Sequence, residues 1–99
     1  MSRIEWLTHD HFAGRIGERF YAADIPLELV ETKQSTEPGG RGPEGQERLQ
    51  FSLVFRGPVE PRMPQAIYPL AHDDFDGLEL FLVPIGADSG GVRYQAAFA

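Results

Sequence analysis

Ninety-nine residues with 41% hydrophobic content and 11% aromatic side chains suffice for one domain with a modest core. There is no cysteine, which excludes a disulfide framework, a Cys-ligated zinc site and thiol chemistry. The net charge is -6, from 15 acidic and 9 basic residues with Lys33 the single lysine, and this argues against a nucleic-acid partner.

The chain opens Met1-Ser2-Arg3-Ile4-Glu5-Trp6, with charge among its first apolar residues, so no signal peptide is expected. Its apolar runs are too short to span a bilayer, and a cytoplasmic chain without a membrane role is the expectation. Residues 8–13 read as one or two helical turns, with Thr8 as N-cap and Asp10 in the first turn. Gly14 and Gly17 keep that helix short. Residues 19–22 read as a short strand. After Pro26 the pattern alternates over residues 27–32, with Leu27 and Leu29 on one face and Glu28 opposite. Residues 33–47 carry no apolar side chain apart from Pro38 and Pro43, and their glycines predict a long flexible loop.

The clearest strand spans residues 49–56. Leu49, Phe51, Leu53 and Phe55 fall on one face, and Gly57-Pro58 ends it. Pro61 and Pro64 exclude a central strand between residues 59 and 64. A strand over residues 65–70 contains Pro69, which predicts an edge position or a strand end. Asp76-Gly77 is a hairpin-type turn. Residues 78–85 are apolar on both faces after Glu79, as expected of a strand covered on both sides or placed at a subunit contact. Asp88-Ser89-Gly90-Gly91 is a further turn, and residues 92–98 alternate with Val92, Tyr94, Ala96 and Phe98 inward. About six strands with turns between them predict a single mainly β domain over residues 1–99. The expected form is a small antiparallel barrel, or a two-sheet sandwich, with a short N-terminal helix. Phe12, Phe20, Phe51, Phe55, Phe75, Phe81, Tyr94 and Phe98 are enough to fill its interior.

The segments Phe51-Ser52-Leu53-Val54-Phe55-Arg56-Gly57-Pro58, Gln65-Ala66-Ile67-Tyr68-Pro69-Leu70-Ala71-His72, Leu80-Phe81-Leu82-Val83-Pro84-Ile85-Gly86 and Tyr94-Gln95-Ala96-Ala97-Phe98 follow in an order that resembles a small bacterial domain family of unknown function. That resemblance covers nearly the whole chain. It brings no activity, cofactor or catalytic residue. It implies occurrence beside phage-tail-collar-like proteins, and from that an accessory role in a tail-like particle.

Three groups of residues are candidates for a site. His9, His11, His72 and Asp74 are ligand types that suit zinc, manganese or iron, yet no H-E-x-x-H or similar spacing accompanies them, so no metal or other cofactor is expected. In a helix, His9 and His11 would also point apart. Arg56, Gln65 and Tyr68 could form a polar clamp at a turn or contact a ligand. Trp6, Phe81, Val83 and Ile85 are the candidates for an interface with a protein partner or a second copy. No Gly-x-Ser-x-Gly elbow and no phosphate loop is present, so no catalytic residue is assigned. The expected function is therefore a non-catalytic structural or interaction module. A small-ligand-binding barrel is the alternative, and a metal-dependent enzyme the second alternative.

Overall fold

The computed structural model describes residues 7–39, 45 and 47–98. Trp6 and residues 40–44 and 46, within the stretch expected to be a loop, lie outside the described residues. Apart from one helical turn, α1 (Asp10–Ala13), the secondary structure is antiparallel β: β1 (Arg19–Ala22), β2 (Ile25–Pro38), β3 (Leu49–Gly57), β4 (Ala66–His72), β5 (Phe75–Asp88) and β6 (Gly91–Phe98). The strands pair in the order β1-β2-β3-β6-β5-β4, and β4 returns to β1, so the sheet closes into a ring. This is the barrel form of the two expected, with the sandwich not adopted.

The alternation in β3 decides the register of half the ring. Phe51, Leu53 and Phe55 are buried, and the same strand pairs with β2 on one side and β6 on the other. Inward residues from all six strands share one core with Phe12 of α1, which is fully buried and stacks on Phe75 at a 5.1 Å centroid distance. Phe51 and Phe98 stack across β3 and β6 at 4.3 Å. Leu29, Leu53, Leu82, Val92 and Tyr94 complete the centre, so side chains occupy the interior. Met63, from the Pro-rich connection before β4, is buried at the rim. Its backbone N–H donates to Tyr94 Oη at 2.9 Å, which satisfies a buried donor in a segment without a ladder of its own.

Several sequence expectations need correction. β2 runs on to Pro38, whereas residues 33–38 read as loop. Its extension pairs along β3, with Lys33 opposite Ser52, Gln34 opposite Phe51 and Pro38 opposite Leu49, and the Gln50 side chain donates to the Pro38 carbonyl at 3.2 Å. A strand that continues beyond the core needs no apolar alternation, so periodicity cannot reveal it. Thr8 does not cap α1. His9 precedes the helix with helical angles and makes no side-chain cap, while the Thr8 carbonyl accepts from His11 N–H at 3.0 Å. Pro69 lies inside β4 opposite Glu79, and β4 has a neighbouring strand on each side. Even so, β4 meets β1 through a single register pair, Tyr21 with Ala71. That thin seam is what accommodates a proline within the ring. Finally, Phe81 is not part of the interior: it faces outward from β5.

Gly91 holds the close approach of β6 to β3. It adopts φ 132°, and a Cβ there would stand 2.1 Å from the Gly57 carbonyl oxygen. Only glycine fits that position.

Candidate functional site

Among the described residues, a network of polar side chains forms where the segment after α1 meets the β4–β5 turn. Arg15, just after α1, donates from Nε to the His11 carbonyl at 2.8 Å. Its Nη1 donates to Glu18 Oε1 at 3.2 Å and to Asp74 Oδ2 at 2.7 Å. The guanidinium lies 5.0 Å from the centroid of the Phe75 ring. The Arg15 hydrogen bond holds the Asp74 carboxyl below its ordinary range, and Asp74 in turn raises the Arg15 guanidinium above its own.

His72 completes the network from β4. Its Nδ1 accepts from the Asp74 backbone N–H at 3.0 Å, which leaves the proton on Nε2. Nε2 then donates to Glu18 Oε1 at 2.7 Å. The imidazole packs against Phe20, with centroids 4.4 Å apart, and edge-on to Phe75. Both ring nitrogens are thus engaged, and the ring is wedged between core aromatics. Glu18, His72 and Asp74 each offer one ligand atom, all within 4.8 Å of one another. These three could hold a cation, but Arg15 already supplies the positive charge on both carboxylates. The chemistry of the arrangement is that of a latch, which ties the segment after α1 to the β4–β5 turn.

Of the four metal-type candidates, the fold brings His72 and Asp74 together and places the other two elsewhere. His9 Nε2 lies 3.2 Å from Thr32 Oγ1, and its ring stands edge-on to Phe51. His11 Nδ1 accepts from Thr8 N–H at 2.9 Å. Arg15 and Glu18, the other half of the network, were missed. Their opposite charges at a three-residue spacing were the available signal, but nothing in the chain order links them to residues 72–74.

Arg56, Gln65 and Tyr68 do not converge through any hydrogen bond among the described residues. Tyr68 donates to the Pro64 carbonyl at 2.5 Å, which ties β4 to the Pro-rich connection before it. Gln65 is exposed. Arg56 lies beside the Gly90-Gly91 turn, and its Nε is buried without a hydrogen-bond partner in the structure. Arg56 also belongs to a row of outward charges that crosses four strands, Arg19, Glu28, Arg56 and Arg93, each the register partner of the next.

The outer face of β4 and β5 has the opposite character. Ile67 and Phe81 are register partners, with 66% and 48% of their surface exposed. Val83 follows two residues after Phe81 and is half-buried, and Ile85 beyond it is 50% exposed. Pro69 and Ala71 continue the outward row on β4, and Ala71 leads to the exposed Tyr21 on β1. Glu79, opposite Pro69, and Arg93, opposite Gly86, are charged residues bordering this stripe. Three of the four proposed interface residues therefore lie on one face, and Trp6 lies outside the described residues.

Arg48 marks the far end of the barrel. It lies over the Phe51 and Phe98 rings at 5.4 Å each and donates to the Leu7 carbonyl. Burial pushes its guanidinium below the ordinary value. An open hollow of 410 Å³ lined by Pro38, Gly39, Glu47, Arg48 and Leu49 lies at this β2–β3 end. Among the described residues, no helix is long and apolar enough to cross a membrane.

Comparison with known proteins gives no match among curated proteins and none among solved structures. A family model does match, over residues 7–98, from before α1 to the end of β6. The chain therefore belongs to the domain of unknown function family DUF6916.

Proposed function

We propose that this domain is a non-catalytic protein-interaction module that docks through the outer face of β4 and β5. The observation behind the reading is the uncharged row Ile67, Phe81, Val83 and Ile85 on the outside of a barrel whose interior side chains already fill. Isolated exposed apolar residues are ordinary, but a contiguous stripe is a feature of docking surfaces. At this face β4 pairs with β5 and β1, and β5 pairs with β4 and β6, which favours recognition by side chains over addition of a strand. A non-catalytic role accords with the engagement of both His72 nitrogens and with the arginine lodged between Glu18 and Asp74. A cytoplasmic accessory role in a phage-tail-like assembly is the setting in which such a module would serve.

Gel filtration of extracts from the native host tests this reading. The chain is expected well above its 11.0 kDa mass, and Phe81→Glu should return it to that mass while Val59→Glu does not. A wild-type chain that elutes as a monomer would contradict the proposal.

A further inference from the structure

The docking face can be assigned an occupant, on the premise that the reading above is correct. We infer that the β4–β5 face binds a second copy of this chain in a symmetric pair, with Ile67 and Phe81 at its centre.

The first argument is area. At the exposures of Ile67, Phe81, Ile85 and Tyr21, which range from 41% to 66%, the four side chains present on the order of 400 Å² of largely apolar surface. A specific interface buries about 800 Å² on each partner, with an apolar centre and a polar rim. The stripe thus supplies the centre of such an interface. Gln95, opposite Val83, and Glu79, opposite Pro69, lie where the rim would be.

The second argument is charge. The chain carries a net charge of -6, so two copies repel across most contacts. A two-fold interface sets like against like at its axis. That arrangement is harmless for uncharged side chains and costly for charged ones. Ile67, Pro69 and Ala71 on β4 and Phe81, Val83 and Ile85 on β5 are all uncharged, and Glu79, opposite Pro69, lies to one side of the central Ile67–Phe81 pair. The Arg19, Glu28, Arg56 and Arg93 row, by contrast, would set guanidinium against guanidinium in many two-fold arrangements. An unlike partner of an acidic protein is steered by complementary charge, and this stripe offers little to steer it. The face fits its own copy.

Sedimentation equilibrium on the purified full chain tests the inference. The expected mass is twice 11.0 kDa. Phe81→Glu should weaken the self-association by about 100-fold, because a symmetric contact takes the substitution twice. Ile67→Ser, a smaller change at the partner position, should weaken it by about tenfold, and Val59→Glu should leave it unchanged. Circular dichroism establishes that each variant is folded. A folded wild-type chain that remains monomeric at every concentration overturns the inference, as does a dimer insensitive to both Phe81→Glu and Ile67→Ser. If the purified chain is a monomer yet the host extract holds it in a larger Phe81-dependent species, only the second-copy assignment falls. If both are monomeric, the docking reading falls with it.

Discussion

Ile67 and Phe81 face each other across the β4–β5 ladder, and both turn outward from a barrel filled by other side chains. Neither packs in the core cluster, so the fold does not depend on them. Phe81→Glu and Ile67→Ser should therefore change the intrinsic stability of the monomer by no more than about 0.5 kcal/mol. Urea denaturation at low protein concentration, where association is absent, measures this. A loss of several kcal/mol would mean that the face belongs to the core.

Tyr94 makes a different kind of contribution. Its hydroxyl accepts the hydrogen bond of the Met63 N–H at 2.9 Å. Tyr94→Phe keeps the ring in place and leaves that donor without a partner. The expected loss is about 1–3 kcal/mol. Equilibrium unfolding measures it, and hydrogen exchange at Met63 should accelerate more than exchange within β3.

Gly91→Ala should be among the most damaging substitutions. The new methyl carbon would meet the Gly57 carbonyl at 2.1 Å, at a φ of 132° that side chains rarely adopt. A loss of about 3 kcal/mol or more is expected. By contrast, Gly86→Ala, where a Cβ meets nothing within 4 Å, should be nearly neutral. Thermal unfolding of the pair gives the comparison.

The Arg15–Asp74 pair sets a pH dependence. Its hydrogen bond holds the folded Asp74 carboxyl below the ordinary value of 3.8. A carboxyl depressed by folding stabilises above its unfolded pKa, and that stabilisation fades as pH falls through the folded value. The wild-type chain should thus exceed Asp74→Asn in Tm at neutral pH, and the gap should close below about pH 4. Because Asp74 is exposed, the gap should be no more than a few degrees and should shrink with salt. Melting curves of both chains across pH 2–7 test the sign. A gap that widens in acid would contradict the assignment.

Much of the ring was legible because its strands meet a core. β3 and β6 advertise themselves by alternation, and Leu53 and Tyr94 lie where that alternation points, whereas β5 is apolar on both faces and its sequence does not mark which one is inward. The polar end of β2 was hidden for the converse reason: residues 33–38 pair through main chain beyond the core, where side chains carry no periodic signal. Phe81 illustrates the limit of composition. An aromatic in a doubly apolar strand reads equally as interior or as interface until its exposure, shared with its register partner Ile67, places it outside. The latch was half legible, since His72 and Asp74 stand two residues apart in sequence, whereas Arg15 and Glu18 reach them only through ring closure. His9 and His11 share a ligand-like pattern with them, but the fold gives those rings to Thr32 and Thr8.

The central claim is that the β4–β5 face is covered in the cell, and site-specific photocrosslinking tests it most directly. A photoreactive phenylalanine at position 81, with another at the exposed loop position Val59 for comparison, reads out what lies against each surface. The account predicts a discrete adduct from position 81, at twice the chain mass, and none from position 59. No adduct from position 81, or the same spread of products from both positions, would contradict it.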